Sequence, residues 1–336
     1  MTTRKYTRKN SKNAGDIARA ILEEKKAVNK TIKEMNTRKP RKKNAGDIAR
    51  AKLQENQKEL TEYVIDNLNK GLSWSKCWAG IELGIPTSVT TGNHYKGANI
   101  AFLVMRTMKG GYTSNEWGTY KAWQSKGYSV QKGQKGTAIV FYKPIFEEKD
   151  GKQVFKAAIL KYSTVFNRCQ TDAPAVEAPA AAATCEEGLL YDYIRNAGIS
   201  LVNRNRACYS PTKDQITLPK NYTDKARGWS TVAHEIIHST GHKSRLDRDG
   251  VARFKKWGDH QYSYEELIAE LGALFICGHL NLSTEDSKEQ SAAYIDGWAQ
   301  NLQSNPDWIW KAAKEASKAC EYVLKVAKGK EKEEAA

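Results

Sequence analysis

Residues Ala233–Arg248 read AHEIIHSTGHKSRLDR, and their core, His234–His238, reads HEIIH. On an α-helix, side chains four positions apart share one face, so the imidazoles of His234 and His238 can converge on a single metal ion, with Zn²⁺ the expected one. Glu235 lies beside them and can act as the catalytic acid/base on a metal-polarised water. The flanks supply the helix: Trp229, Val232, Ala233, Ile236 and Ile237 provide apolar packing, and Gly241 provides a stop. The plain alternative is a chance pattern on a solvent-facing helix. Against it, the chain holds only six His, and two of them bracket a Glu here.

A catalytic site of this kind needs a third protein ligand, leaving the fourth position for water. The extended form with another His three residues past the Gly is absent: His242 directly follows Gly241, where the helix is expected to have turned. An acidic residue downstream is the better candidate. Tyr262–Ala273 reads YSYEELIAELGA and places Glu266 and Glu270 on one helical face. Ser263 and Glu266 also have capping-box spacing, which would occupy Glu266 at the helix start. Glu270 is therefore the preferred third ligand and Glu266 the alternative, with the other carboxylate supporting a ligating His from behind. Tyr262, Tyr264, Arg245 and His242 are all candidates for an oxyanion contact, and sequence does not choose among them. His260 reads as a loop residue and His279 as a helix-end residue.

Charge points to a second task. The 336 residues carry a net charge of +16, very unevenly: residues 1–170 hold 33 Lys+Arg against 14 Asp+Glu, whereas residues 171–336 hold 21 against 24. A basic module aimed at a polyanion, joined to a module with another job, fits this better than a merely solubilising tail. Within the basic half, Thr90–Asn99 (TTGNHYKGAN) offers Tyr95 and Lys96 between Gly92 and Gly97. Trp117–Gly136 (WGTYKAWQSKGYSVQKGQKG) offers Trp117, Tyr120 and Trp123 with Lys121, Lys126, Lys132 and Lys135. Exposed rings stack on unpaired bases while lysines meet phosphates, so single-stranded DNA is the expected partner. About half of these rings are expected in the core, because W-x-x-Y-x-x-W also has helical spacing. No zinc-finger spacing or groove-reading helix pair is visible.

Several classes are excluded. An apolar fraction of 40% and nine Trp argue against global disorder. Cys77, Cys169, Cys185, Cys208, Cys277 and Cys320 form no C-x-x-C pair, which excludes thiolate zinc clusters and thioredoxin-type chemistry. The start, MTTRKYTRKN, leads into polar sequence, and no run approaches the roughly 20 apolar residues of a membrane span. A cytoplasmic protein without a membrane partner is expected.

The pattern of elements predicts an α+β protein of two domains. Residues 1–59 read as a basic tether in which KNAGDIARA occurs twice, at Lys12–Ala20 and Lys43–Ala51. In each copy an Asn (Asn13, Asn44) can cap a short helix and an Asp (Asp16, Asp47) can favour its first turn. Residues 60–170 form the DNA-binding domain, with helices over Thr61–Leu72, Ala98–Met108 and Thr119–Gly127. Its strands are predicted over Tyr128–Gln131, Thr137–Tyr142 and Val154–Val165, with a hairpin loop at Glu147–Lys152. Residues 171–185, containing APAVEAPAAAAT, read as a linker. Residues 186–328 form a mainly helical domain: a helix at Glu186–Ala197, a strand at Asp214–Leu218, and helices near 228–240, 263–280, 286–304 and 306–328. Residues 329–336 are a charged tail.

Taken together these stretches closely resemble the ArdC-type antirestriction proteins of conjugative plasmids and the related N-terminal part of TraC-type plasmid primases. The resemblance covers roughly Thr61–Leu324. It rests on TTGNHYKGANIAFL (Thr90–Leu103), KGQKGTAIVFYKP (Lys132–Pro144), VFNRCQ (Val165–Gln170), ACYSPTKDQITLP (Ala207–Pro219), the stretch around HEIIH, YSYEELIAELGALF (Tyr262–Phe275) and YIDGWAQNL (Tyr294–Leu302). It implies an N-terminal domain that binds single-stranded DNA and a C-terminal zincin-like domain similar to that of the repair protease Spartan. It further implies that His234 and His238 bind metal, that Glu235 is the acid/base, and that an acidic residue of EELIAE completes the site. The implied role is protection of incoming plasmid or phage DNA from host restriction, with DNA-bound or host restriction proteins as candidate substrates. The chain ends in KGKEKEEAA, so priming is not expected. Two competing functions are a non-enzymatic DNA-coating protein with a structural zinc, and a metal-dependent nuclease.

Overall fold

In the computed structural model the chain divides into one unit at Met1–Asn44 and another at Ala45–Ala336. The structure describes residues 44–149, 152–175, 187–220, 225–253, 260–282, 284 and 299–329; of the first unit's earlier residues it describes Arg19, Glu23 and Lys26, all helical and exposed. The rest of the first KNAGDIARA copy, most of the Ala/Pro-rich stretch and most of the helix expected over 286–304 lie outside the described residues.

The second unit begins with α1, Ala45–Asn69. It starts immediately after Asn44, inside the second repeat copy, and absorbs the helix expected from Thr61. No Gly or Pro interrupts Asp47–Asn69, and Ala49, Asn56, Leu60, Val64 and Leu68 are buried at three- and four-residue helical intervals or their sum. A short helix α2 (Trp74–Cys77) and a 3₁₀ turn (Ala79–Leu83) lead to β1 (Thr87–Ser88), α3 (Ala98–Gly110), β2 (Glu116–Thr119) and α4 (Tyr120–Ser125). The Thr119 side chain caps α4 by accepting from the Ala122 amide at 3.2 Å. A long hairpin follows, β3 (Thr137–Lys149) against β4 (Lys152–Asn167), completing a sheet of order β1-β2-β4-β3. The strand expected at Tyr128–Gln131 is only an isolated bridge, Val130 to Thr171. Gly127 and Gly133 take positive φ on either side and turn the chain out of extended geometry.

The remaining elements are α5 (Gly188–Asn196), β5 (Ser200–Arg204), β6 (Cys208–Ser210), β7 (Gln215–Pro219), α6 (Lys225–Thr240), α7 (Asp249–Ala252), α8 (His260–Leu280), helical residues at 299–304, and α9 (Trp308–Ala327). The small sheet has order β5-β7-β6, with β5 parallel and β6 antiparallel to β7. The mixed α+β class expected from sequence is the one observed.

One hydrophobic cluster runs from Leu60 to Ala327 and draws on both halves of this unit. Helix α9 is its axis, with Ala312, Ala313, Ala316 and Ala319 buried so that neighbouring helices can approach closely. Polar contacts reinforce the junction. The Thr61 hydroxyl donates to the Pro306 carbonyl at 2.5 Å, the Gly97 amide donates to Ser317 Oγ at 2.9 Å, and Lys96 pairs with Glu321 at 2.9 Å. A smaller cluster of Leu103, Trp117, Ile139 and Val165 lies under the first sheet. Among the described residues no helix is long and apolar enough to cross a membrane.

Candidate metal centre

Helices α6 and α8 meet where Gly272 faces Ile237. A Cβ at Gly272 would lie 2.7 Å from Ile237 Cδ1 and Cγ1, so only glycine lets the helices come this close. Gly241 plays a related part: a Cβ there would lie 2.6 Å from Val251 Cγ2 and 3.0 Å from Arg248 Nη2. It ends α6 as expected, but its φ is not positive, so its value is room rather than a left-handed turn.

This approach carries the glutamates of α8 to the histidines of α6. His234 Nε2 and His238 Nε2 stand 3.0 Å apart. The Glu266 carboxylate reaches both, Oε2 at 3.4 Å from His234 Nε2 and Oε1 at 3.4 Å from His238 Nε2. One ligand atom from each of the three residues lies within 4.8 Å of the others. Two imidazoles and a carboxylate form a donor set that fits a divalent ion with open positions. Each ring's other nitrogen also has a carboxylate: Glu270 Oε1 lies 3.5 Å from His234 Nδ1, and Glu265 Oε1 lies 3.3 Å from His238 Nδ1. Such partners fix the tautomer and orientation of a ligating ring.

Sequence preferred Glu270 as third ligand because Ser263 was expected to cap the helix and occupy Glu266. Helix α8 is already helical from His260, so Ser263 and Glu266 are interior helical positions and Ser263 is not the N-cap. The geometry sets the Glu266 carboxylate against both Nε2 atoms and Glu270 behind His234, at Nδ1.

Glu265 and Arg248 were not foreseen. Glu265 is 2% exposed and Arg248 is 8% exposed. Arg248 grips the carboxylate through Nε to Oε2 at 2.9 Å and Nη2 to Oε1 at 2.6 Å. Its other donors go to Thr240 Oγ1 at 2.7 Å and the Ile237 carbonyl at 2.8 Å, both on the last turn of α6. Glu265 was visible only as a third acid in EELIAE, and nothing local marks Arg248, the second arginine of SRLDR, as buried.

The electrostatics follow from this crowding. Burial presses the His234 imidazole toward neutrality, but Glu266 and Glu270 outweigh it and raise its pKa above the ordinary value. Burial opposes charge on His238 too, and Glu266 with Glu265 raises it well above the ordinary value. Burial works against the Glu266 carboxylate, yet His238 and His234 hold it far below the usual carboxylate range. Glu265 is likewise lowered: Arg248 and His238 overcome its burial. Glu235 is 6% exposed and forms no ion pair among the described residues.

Three of the four oxyanion candidates have partners outside the metal cluster. Arg245 donates to both Asp214 carboxylate oxygens, to the Tyr209 hydroxyl at 3.0 Å and to the Ser239 carbonyl at 2.7 Å. His242 Nδ1 meets Ser244 Oγ at 2.7 Å, and Tyr264 packs edge-on against Trp308. The side chain of Tyr262 lies outside the described residues. His279 lies against His94, edge to face at 4.7 Å.

The residues expected to touch DNA divide sharply. Trp117 and Trp123 are 0% exposed, and Trp123 Nε1 donates to the Phe166 carbonyl at 3.0 Å. They point inward from β2 and α4 and cannot stack on bases. Tyr95 is partly buried against the core, and Lys96 is tied to Glu321. Tyr120 is 48% exposed, and Lys121, Lys126, Lys132 and Lys135 are exposed.

Known proteins share both halves of this arrangement. Residues 54–166 match the family model of the N-terminal domain of anti-restriction factor ArdC, and residues 190–315 match that of the zincin-like metallopeptidase. A DNA primase TraC of Escherichia coli is 32% identical over 291 residues, 79% of this chain. The chain spans only 19% of that primase and 27% of a second TraC. Protein y4eC of Sinorhizobium fredii is 30% identical over 73% of this chain and 82% of its own length. The crystal structure of the antirestriction ArdC protein from plasmid R388 in metal-free form superposes with a TM-score of 0.63 at 33% identity, covering 81% of this chain and 97% of that one. Its Mn(II)-bound form gives 0.62 at 34% identity, covering 81% and 98%. Matching ArdC in sequence and fold through both of its regions, the chain belongs to the ArdC-type family of antirestriction proteins.

Proposed function

We propose that this antirestriction-family protein binds single-stranded DNA through its basic first half and hydrolyses peptide bonds at a divalent-metal site in its zincin-like half. It would thereby protect incoming mobile-element DNA in the bacterial cytoplasm. The observation that carries the reading is the convergence of His234, His238 and Glu266, with Glu270 and Glu265 behind the two rings. His234, His238 and Glu266 would hold the ion. Zn²⁺ suits two imidazoles and one carboxylate, and the Mn(II)-bound ArdC relative supports a divalent ion at such a site. When bound, the ion supplies Lewis acidity toward a water and the scissile carbonyl.

The chain's own residues do the rest. Glu235 takes a proton from the attacking water and delivers it to the leaving amine. Buried and without an ion pair among the described residues, its carboxylate is available for that transfer. Glu265 and Glu270 hold the two imidazoles in the required tautomers. A purely structural metal would not call for a buried acid at position 235, which favours catalysis over DNA coating alone. Phosphodiester cleavage more often uses carboxylate-rich Mg²⁺ sites, which favours peptide over nucleic acid as substrate. DNA-bound and host restriction proteins are the substrate classes to test.

The decisive assay compares metal-loaded wild type with E235Q on such proteins, and on the protein itself, with and without single-stranded DNA. Cleavage by wild type but not by E235Q is expected. Equal cleavage by both, or DNA cleavage abolished by H234A, would contradict the reading.

A further inference from the structure

With Trp117 and Trp123 in the core, the rings that meet unpaired bases must lie elsewhere. The β3–β4 hairpin gathers them. Of the eleven large apolar side chains exposed among the described residues, seven lie on this one two-stranded ribbon, including Phe141 (39%), Tyr142 (60%), Phe146 (52%), Phe155 (60%) and Tyr162 (39%). Near its base the ribbon is held to the body: the Asn56 and Asn99 side chains donate to the carbonyls of Ala138 and Val140 at 2.7 and 2.8 Å. Beyond Val140 both strands leave the core, and β3 turns from buried to exposed residues on both faces.

Register shows what each face presents. Phe141 stands opposite Lys161, and Lys143 stands opposite Ile159. Opposed residues and those two apart along a strand share a face. One face therefore sets an aromatic ring between two lysines. On the other face Tyr142 stands opposite Leu160, with Tyr162 diagonal to it. Farther along, past a bulge at Ile145/Phe146, Phe146 and Phe155 meet edge to face at 6.2 Å.

Charge follows the same division. The shaft, Thr137–Phe146 with Val154–Asn167, contains Lys143, Lys156 and Lys161 and no Asp or Glu; Glu147 and Glu148 lie beyond it, toward the tip. Lys156 pairs with Glu147, whereas Lys143 and Lys161 form no ion pair among the described residues. Exposed rings flanked by unpaired ammonium groups match a polyanion whose bases are open for stacking. A duplex offers phosphates but no open base faces.

We propose that single-stranded DNA wraps around the shaft of the β3–β4 ribbon, with bases stacked on Phe141 on one face and on Tyr142 and Tyr162 on the other, and phosphates met by Lys143 and Lys161. This rests on the single-strand-binding reading above. It assigns that binding to the ribbon instead of the Trp117–Lys135 stretch.

The test is fluorescence anisotropy of the full chain with a labelled oligothymidine of about 20 nucleotides, in competition with an unlabelled duplex. F141A, Y142A and Y162A should each weaken binding by about tenfold, since stacking of one base is worth ~1–3 kcal/mol. Y120A should change it less than twofold. K143A/K161A should lower the slope of log affinity against log salt by about 1.4, at roughly 0.7 per phosphate contact. Thermal melts and gel filtration check that each variant stays folded and keeps its oligomeric state. Wild type that fails to bind single strands would overturn the underlying reading. Wild type that binds, with ribbon variants that bind equally well, would overturn the ribbon alone. So would duplex competing as well as single strand, or ribbon variants that change oligomeric state without changing DNA affinity.

Discussion

At the scale of single residues, the metal site is a set of local rules joined by one long-range contact. HEIIH was legible because i,i+4 spacing is a property of any helix. Whether Glu265, Glu266 or Glu270 faced the imidazoles depended on how α8 is rotated and where it begins, which no local pattern states. Arg248 and Glu265 carry a consequence that can be measured. Replacing Arg248 by Met strips the buried Glu265 carboxylate of its guanidinium, leaving only the His238 imidazole beside it, and should cost up to about 3–5 kcal/mol in urea unfolding. R248M/E265Q should recover a good part of that loss while still binding metal about 10–100-fold more weakly than wild type. A double variant no more stable than R248M would show that the arginine acts otherwise. The raised pKa values of His234 and His238 give a pH signature for the metal-free protein. Stabilisation from imidazolium–carboxylate pairing is full below the unfolded histidine value, ~6.5, and is lost as pH rises through the raised folded values. Metal needs the neutral rings, so it competes with protons. The rise in Tm on adding metal should therefore grow with pH, and a rise independent of pH would contradict the arrangement.

At the scale of elements, the helices were the legible part. Helix α3 was expected over Ala98–Met108 and spans Ala98–Gly110, and α9 was expected near 306–328 and spans Trp308–Ala327. Strands β5 and β6 were missed because they are short and lack a clear apolar alternation, with NRNR at Asn203–Arg206 running from the end of β5 into the turn before β6. Their pairing with β7 is a tertiary fact. The hairpin was recognised, but its length was not, because its outer half buries little and carries no alternation of apolar and polar residues. The α6–α8 contact belongs to this scale. Gly272→Ala gains about 1 kcal/mol of helix propensity but must displace Ile237, and overpacking of this sort costs ~1–3 kcal/mol. Lower stability and weaker metal binding are expected together. Gly188→Ala is the matched control, since a Cβ there meets nothing within 4 Å. Unchanged metal affinity in a folded G272A protein would show that helix proximity does not set the site.

At the scale of the whole molecule, charge separated a basic half from a slightly acidic one, and that division matches the two family regions. Sequence could not show that Leu60, Phe102, Phe275 and Ile309 share one hydrophobic cluster. Periodicity identifies which face of an element is buried, not what buries it. Because α9 packs into both regions, Ala45–Ala327 should unfold in one cooperative transition. Fluorescence of the buried Trp117 and Trp123, far in sequence from the metal site, should follow the same curve as metal release. Two resolved transitions would contradict the shared core. The most direct test of the central claim is metal analysis of the purified protein and its variants after dialysis at neutral pH. The account predicts one divalent ion per chain in wild type and in E235Q, a site emptied in H234A, H238A and E266A, and one weakened but still occupied in E270A. An E266A protein that keeps its metal while E270A loses it would contradict the site as described.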